Sequence, residues 1–179
     1  VACCKKWQEF IPEFKVNVNL SYVQIIKSSI LDEIKQALKD YNLKPALLGI
    51  EVTESGYLEN TYHYKKLWST LKEEGITLIL DDYGTGYSNA YRLSNLTPHY
   101  IKIDRVLTQK ALSSNYERSI LIYIIEMAHS LKLKVCIEGV ETEEELQEIK
   151  KLNPDYIQGY LFGKPASEDE FYNQQIKKK

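Results

Sequence analysis

A parallel α/β barrel is the fold class that this sequence predicts, and three observations predict it. Apolar runs of strand length alternate with segments of helical periodicity six times along 179 residues, the pattern of a parallel sheet with helices outside. The strand-like runs end in polar residues: Asn19, Glu51, Asp81 with Asp82, Lys102 with Asp104, Glu138 and Gln158. An open doubly wound sheet concentrates its site at one crevice, whereas a barrel draws functional residues from most strand ends. The third observation is parity. Successive strand side chains point to opposite faces. Asn17, Asn19, Glu51, Asp81, Lys102, Asp104, Glu138 and Gln158 all stand opposite the main aliphatic positions of their strands. One inward-facing ring of acids, amides and a lysine is the economical account.

In chain order, Lys15 to Ser21 alternates apolar and polar and predicts the first strand. Val23, Ile26, Ile30, Ile34, Ala37 and Leu38 recur at helical spacing and predict one helix from Tyr22 to Tyr41, broken at Lys44-Pro45. Leu47 to Ser55 is the second strand, and a helix from about Glu59 to Glu74 ends at Gly75. Ile76 to Leu80 is the third strand, an apolar run cut off by Asp81-Asp82 and a loop punctuated by Gly84 and Gly86. A short helix near Asn89 to Leu93 precedes the fourth strand, Tyr100 to Asp104. Asn115 to Leu131 is a long helix with an apolar face, and Lys134 to Val140 is the fifth strand. Thr142 with Glu145, and Ser167 with Glu170, have the spacing of capping boxes for two further helices. Tyr156 to Leu161, between them, is the sixth strand.

A complete barrel has eight strands over about 250 residues. Two β/α units, on the order of 60 residues, are therefore expected ahead of Val1, and residues 1–179 form one partial domain. Its exposed strand edges, at Lys15–Ser21 and Tyr156–Leu161, invite coverage by flanking helices, dimerisation or partial loosening. Dimerisation is the favoured expectation.

Composition narrows the function classes. Lys and Arg number 23 against 25 acids, a formal net charge of −2, so no general field draws nucleic-acid polymers or anionic membrane. The greasiest run, Ile120 to Ile125, is too short to span a bilayer and stops at Glu126. Three cysteines without a spacing framework suggest reduced thiols and a cytoplasmic protein. His63, His99 and His129 fall on helices or beside a proline and suit surface or packing roles.

Chemistry is left to the ring. Glu51, Asp81, Asp82, Glu138 and Asn19 offer hard oxygen donors suited to Mg²⁺ or Mn²⁺. The adjacent Asp81 and Asp82 could serve a two-metal site for phosphoryl transfer. Lys102 supplies a cation for a phosphate or for orienting a nucleophile. The structural alternative is a buried salt-bridge network in which Lys102 neutralises the acids.

Six segments in order resemble the successive motifs of the EAL-domain family. They are Val18-Asn19-Leu20-Ser21, Glu51-Val52-Thr53-Glu54-Ser55, Asp81-Asp82-Tyr83-Gly84-Thr85-Gly86-Tyr87-Ser88, Ile101-Lys102-Ile103-Asp104-Arg105, Ile137-Glu138-Gly139-Val140-Glu141-Thr142, and Gln158-Gly159-Tyr160 with Lys164-Pro165. The resemblance implies a modified eight-stranded TIM-type barrel, present here as about six units. It implies a phosphodiesterase that hydrolyses cyclic di-GMP to linear pGpG with two Mg²⁺ or Mn²⁺ ions, usually as a homodimer. It further implies Asn19, Glu51, Asp81, Asp82 and Glu138 as metal ligands, with Lys102, Glu138 and Gln158 around the attacking water. Glu54 would anchor the substrate-binding loop of Tyr83, Gly84, Thr85, Gly86, Tyr87 and Ser88, and the Asn89 to Leu112 region would serve association. Tyr83 replaces the family's usual Phe, and Asn89 a common Ser. The Glu-Ala-Leu motif and its nucleotide-contacting Arg belong to the expected front portion, which leaves this chain inactive or very weak alone. A non-catalytic cyclic di-GMP receptor and a barrel hydrolase for other phosphoesters are the alternatives. The parent could equally be a membrane-bound or sensor-linked protein with this segment in the cytoplasm.

Overall fold

The computed structural model describes residues 1–26, 29–53, 61–84, 93 and 96–176. The expected helix near Asn89 to Leu93 lies outside them, apart from Leu93. Six parallel strands run side by side in sequence order: β1 (Val16–Asn19), β2 (Leu48–Thr53), β3 (Thr77–Tyr83), β4 (Tyr100–Ile103), β5 (Lys134–Ile137) and β6 (Tyr156–Ile157). Strictly sequential order with helical crossovers is barrel topology rather than a doubly wound sheet, whose order reverses at a switch point. The result is a half-barrel with β1 and β6 outermost.

One face of each strand packs on helices. Ile50, Val52, Leu78, Leu80, Ile101, Ile103, Val135 and Ile137 are buried there. They meet Ile34 and Leu38 of α3 (Ile30–Asp40) and Leu67, Trp68 and Leu71 of α4 (Thr61–Glu73) in one apolar core. Each such side chain contributes about 1.5–3 kcal/mol by leaving water. This aliphatic set is the outer face of the sheet, as parity predicts, and the polar ring takes the inner face.

Several boundaries differ from expectation. The helix expected from Tyr22 to Tyr41 is instead two helices, α2 (Tyr22–Ile26) and α3, the latter following Ser29 in N-cap position. A helix not expected at all, α5 (Arg105–Ser113), follows β4 directly. Asp104 is accordingly its N-cap, accepting from the Val106 N–H at 2.7 Å, rather than a strand residue in the ring. An N-cap carboxylate satisfies one of the helix's orphan donors, a strong local use for an Asp. The sixth strand shrinks to two residues, so Gln158 lies beyond it. Both capping boxes form, at Thr142 for α7 (Glu143–Lys150) and at Ser167 for α8 (Glu168–Phe171). Between α5 and β5 lies α6 (Asn115–Ser130), which buries Leu121, Ile124, Ile125 and Ala128.

The two ends of the chain meet. Trp7, in α1 (Ala2–Trp7), stacks on Phe171 of α8 with ring centroids 4.6 Å apart. Phe14, just before β1, packs edge-on against Trp7 at 5.1 Å. Lys6 pairs with Glu168 at 2.8 Å. The chain's ends are thus joined by an aromatic cluster and one ion pair.

Candidate functional site

The inner face of the half-barrel is set by register. Asn19 stands beside Glu51, Thr53 beside Asp81, and Lys102 beside Cys136. Neighbouring residues of parallel strands point to the same side, so Glu51, Asp81 and Lys102 rise from three consecutive strands into one interior. Glu138 follows β5 on the same face. Gly49 makes room for this convergence, because a Cβ there would fall 2.2 Å from Asn17 Oδ1. With that space open, Asn17 Nδ2 donates to Glu51 Oε1 at 2.9 Å and to the Tyr100 hydroxyl at 3.2 Å.

Lys102 is the centre. Its Nζ lies 2.7 Å from Glu138 Oε1, 3.0 Å from Glu51 Oε2 and 3.3 Å from Asp81. Glu51, Asp81 and Lys102 are the buried charged residues among those described. Burial opposes the charged ammonium, but the hydrogen bond to Glu138 and the charges of Asp81, Glu51 and Glu138 outweigh it and raise its pKa. Burial raises the carboxyl pKa of Glu51, and repulsion from Asp81 adds to this, while Lys102 and Asn17 oppose it. Glu138 is raised by burial and by the two neighbouring acids, again against Lys102.

Asp82 owes its place to a bulge. Between Leu80 and Tyr83 the register of β3 on β4 slips by one residue, and Asp82 has a φ of 56°. Asp is among the few side chains that adopt this region readily, and one extra residue re-aims the side chains beyond it. Burial raises the Asp82 carboxyl pKa, with Asp81 and Asp104 adding repulsion. The acids therefore sit inside β3, not past its exit.

The remaining expected residues are placed less uniformly. Asn19 is exposed at the end of β1, and it is Asn17, one inward position earlier, that bonds Glu51. Tyr83 closes β3 and is buried in the core, rather than opening a loop. Its backbone belongs to the strand because the bulge lets pairing resume at Ile103. Gln158 is exposed and lines the interior cavity; its backbone bonds Ile137 and Val140. Gly84 comes directly after Tyr83 with a φ of 106°. Glu54, Thr85, Gly86, Tyr87 and Ser88 lie outside the described residues. Residues from α5 also matter, and sequence reasoning missed them. Gln109 Nε2 donates to the Gly139 carbonyl at 2.9 Å, and Arg105 pairs with Glu141 at 2.7 Å, together holding the loop that carries Glu138. The helical spacing of Leu107 and Ala111, with Leu112 beside them on the same apolar face, was the available signal.

Below the cluster the interior opens into a cavity of about 660 Å³, reached by residues of all six strands, among them Asn17, Gly49, Thr77, Lys102, Cys136 and Ile157. That volume is in the range of small-molecule sites.

The EAL domain family matches residues 1–165. This chain belongs to the EAL domain family. The EAL chain is 34% identical to the signaling protein YkoW of Bacillus subtilis, over 94% of its own length and 21% of the relative's. It is 36% identical to the cyclic di-GMP phosphodiesterase NbdA of Pseudomonas aeruginosa, over 84% of its length and 19% of the relative's. It thus spans about a fifth of these curated relatives. Among solved structures it resembles the EAL domain of Mycobacterium smegmatis DcpA, with a TM-score of 0.89 and 25% identity, covering 99% of this chain and 81% of that one. It also resembles a manganese and cyclic di-GMP complex of Klebsiella pneumoniae BlrP1, with a TM-score of 0.83 and 26% identity, covering 92% of this chain and 42% of that one.

The donor chemistry suits a hard divalent cation. Three carboxylates against one ammonium leave two formal negative charges in a buried site, and oxygen donors are what Mg²⁺, Mn²⁺ and Ca²⁺ take. The geometry, however, converges on Lys102 Nζ. Among the described residues no group of three or more His, Cys, Asp and Glu is arranged to hold a metal ion. The salt-bridge network weighed from the sequence is therefore present, built from the same residues as the expected metal site.

Proposed function

We propose that this EAL chain carries the catalytic centre of a phosphodiesterase that opens cyclic di-GMP to linear pGpG. The observation that supports this best is the convergence of Glu51, Asp81 and Glu138 on Lys102 within a barrel interior of a family whose relatives include cyclic di-GMP phosphodiesterases. In the reaction, the water oxygen adds to one phosphorus, the bond from that phosphorus to a ribose oxygen breaks, and the leaving ribose oxygen takes up the proton that the water gives up. Glu51, Asp81 and Glu138, with Asn19 and Asp82, would hold two Mg²⁺ or Mn²⁺ ions. Bound there, the ions would supply charge stabilisation and a more acidic water. Lys102 and Glu138 orient the water, with Gln158 bonding beside it, and Glu54 braces the loop 83–88 against the nucleotide. The protein acts in the cytoplasm as a homodimer; among the described residues no helix is long and apolar enough to cross a membrane.

The full-length protein, incubated with cyclic di-GMP and Mn²⁺, is expected to yield pGpG, whereas the 179-residue chain is expected to turn over very weakly or not at all. A second reading, a cyclic di-GMP receptor, is favoured by the closed Lys102 network alone. Binding by the full-length protein without pGpG would establish it. Turnover of generic diesters but not of cyclic di-GMP would point to another substrate class.

A further inference from the structure

We propose that the end of the sheet where the strands begin carries a second binding site, for an oligophosphate group, opposite the acid cluster. It goes beyond the phosphodiesterase reading and does not depend on it. Every strand pairing is parallel, so the residues at the strand starts gather at one end. Lys15 precedes β1, His99 precedes β4, Lys132 and Lys134 stand at the start of β5, and Lys72 lies in the last turn of α4. These five border a cavity of about 490 Å³, together with Tyr100 and Tyr156. Lys134 stands four residues before Glu138, about 13 Å of extended chain. Barrel chemistry belongs to the other face, so catalysis does not account for a cationic cavity here.

Charge is the first argument. Four lysines and no carboxylate line the cavity, in a chain of formal net charge −2. Among the described residues none of the four is in an ion pair. Asp155 acts on Lys134 from nearby, but its carboxylate already accepts from the Val135 N–H at 2.8 Å and pairs with His129 at 3.0 Å. Orientation is the second. Lys72 Nζ donates to Thr97 Oγ1 at 3.0 Å and to its carbonyl at 3.5 Å, and Lys134 Nζ donates to the Tyr156 hydroxyl at 3.0 Å. These acceptors are neutral, so they fix the ammonium groups without cancelling their charge, and each keeps at least one further donor. His99 Nδ1 accepts from the Leu78 N–H at 2.9 Å, which leaves the ring proton on Nε2 as another donor.

Backbone is the third. Left-handed turns elsewhere in the chain use Asn42, Gly75 and Asn153 after α3, α4 and α7, residue types that suit a helix end. The two on this cavity instead use Thr97, with a φ of 45°, and Lys132, with a φ of 60°. A β-branched residue is poorly suited to that region, and such strain concentrates at ligand sites. Here it sets the Thr97 hydroxyl against Lys72 and carries Lys132 to the rim. The matching ligand is compact and several times negative. A terminal phosphate carries about −1.5 to −2 at pH 7, so a chain of two or three phosphates balances four ammonium groups. The half-exposed Tyr156 ring stands beside them for a base.

The test titrates sodium tripolyphosphate into the 179-residue chain at low salt, read by calorimetry, and maps lysine acylation by mass spectrometry. Bound tripolyphosphate is expected to slow acylation of Lys72, Lys132 and Lys134 several-fold. It should leave unchanged Lys110, which borders a different groove on α5. Lys72→Ala and Lys132→Ala are each expected to weaken binding about tenfold, and Lys110→Ala to leave it as it was. ATP that binds more tightly than tripolyphosphate, with the gain lost in Tyr156→Leu, identifies a nucleotide as the source of the phosphates. Equal affinities identify the phosphate chain alone. Absence of binding, equal weakening by Lys110→Ala, or protection of Lys102 in place of the rim lysines would overturn the proposal. The acylation map needs no variant, so it decides the matter even if a substituted chain does not fold.

Discussion

Glu51, Asp81 and Lys102 are charged groups that water no longer solvates, so each depends on the others. Breaking a buried ion pair from one side leaves a naked charge and costs about 3–5 kcal/mol. Asp81→Asn and Glu51→Gln remove an acid but leave a polar, similarly shaped group, so their chief effect falls on metal binding. In the full-length protein either change is expected to abolish Mn²⁺-dependent hydrolysis of cyclic di-GMP; normal turnover of Asp81→Asn at saturating Mn²⁺ would refute the assignment. The pH dependence comes from the signs of the shifts. Glu51 and Glu138 have raised pKa values, so the folded chain holds their protons more tightly than the unfolded one. Their contribution to stability therefore falls as pH rises from the ordinary carboxylate range through the raised values. Lys102, also raised, contributes stability that is present below the ordinary lysine pKa and lost as pH climbs through its folded value. Cys136 shares this interior, and burial together with Glu138 pushes its thiol up to about 12. Against an ordinary thiol this lowers the reactive thiolate roughly a thousandfold. Alkylation at pH 8 is expected to spare Cys136 in the folded chain and to modify it in denaturant, which peptide mapping reads directly.

At the scale of elements, caps and close approaches hold the site's supports. The Thr142 hydroxyl accepts from the Glu145 N–H, while Glu145 reaches back to the N–H groups of Glu141 and Thr142. These bonds fix the loop that begins at Glu138. Thr142→Ala is expected to cost about 1 kcal/mol, visible as a lower midpoint in urea with an unchanged slope. Gly159 is more demanding, because a Cβ there would meet the Val140 carbonyl oxygen at 1.9 Å. Backbone cannot step aside as a side-chain tip can. Gly159→Ala is expected to displace Gln158 from the site and to destabilise by about 1–3 kcal/mol, as overpacking does. A midpoint in urea equal to that of the unsubstituted chain would contradict the close approach.

For the whole molecule, the open side of the half-barrel is the feature to explain. Strands β1 and β6 present edges, which soluble proteins cover, charge or pair. Here Trp7, Phe14 and Phe171 cluster where the chain's ends meet, and Phe171 also borders the interior cavity. Phe171→Ala removes the ring shared by both ends and is expected to destabilise by about 3 kcal/mol. It should also raise hydrogen exchange in α1 and α8 before the central strands. Uniform exchange across the sheet would show that the aromatic cluster does not close the open side. Sedimentation of the unsubstituted chain is the accompanying measurement for the proposed homodimer, for which a monomer at all concentrations is the contrary result.

Local pattern along the chain was enough for the class of fold and for the charged members of the ring that meet at Lys102. Strand parity is a local property, so Glu51, Asp81, Lys102 and Glu138 could be assigned to one face without knowing any contact. The two capping boxes were legible for the same reason, since their hydrogen bonds close within four residues. Long-range packing settled the features that local patterns do not encode. It placed the bulge at Asp82, because a register slip exists only relative to the neighbouring strand. It made Asn17 the amide that bonds Glu51, a choice that depends on the space left by Gly49 across the sheet. It ended β6 after two residues, and it set α5 directly after β4 with Asp104 spent on its cap. Above all, it placed the Lys102 ammonium among the three acids. Side-chain reach across three strands settles that, and no spacing along the chain records it.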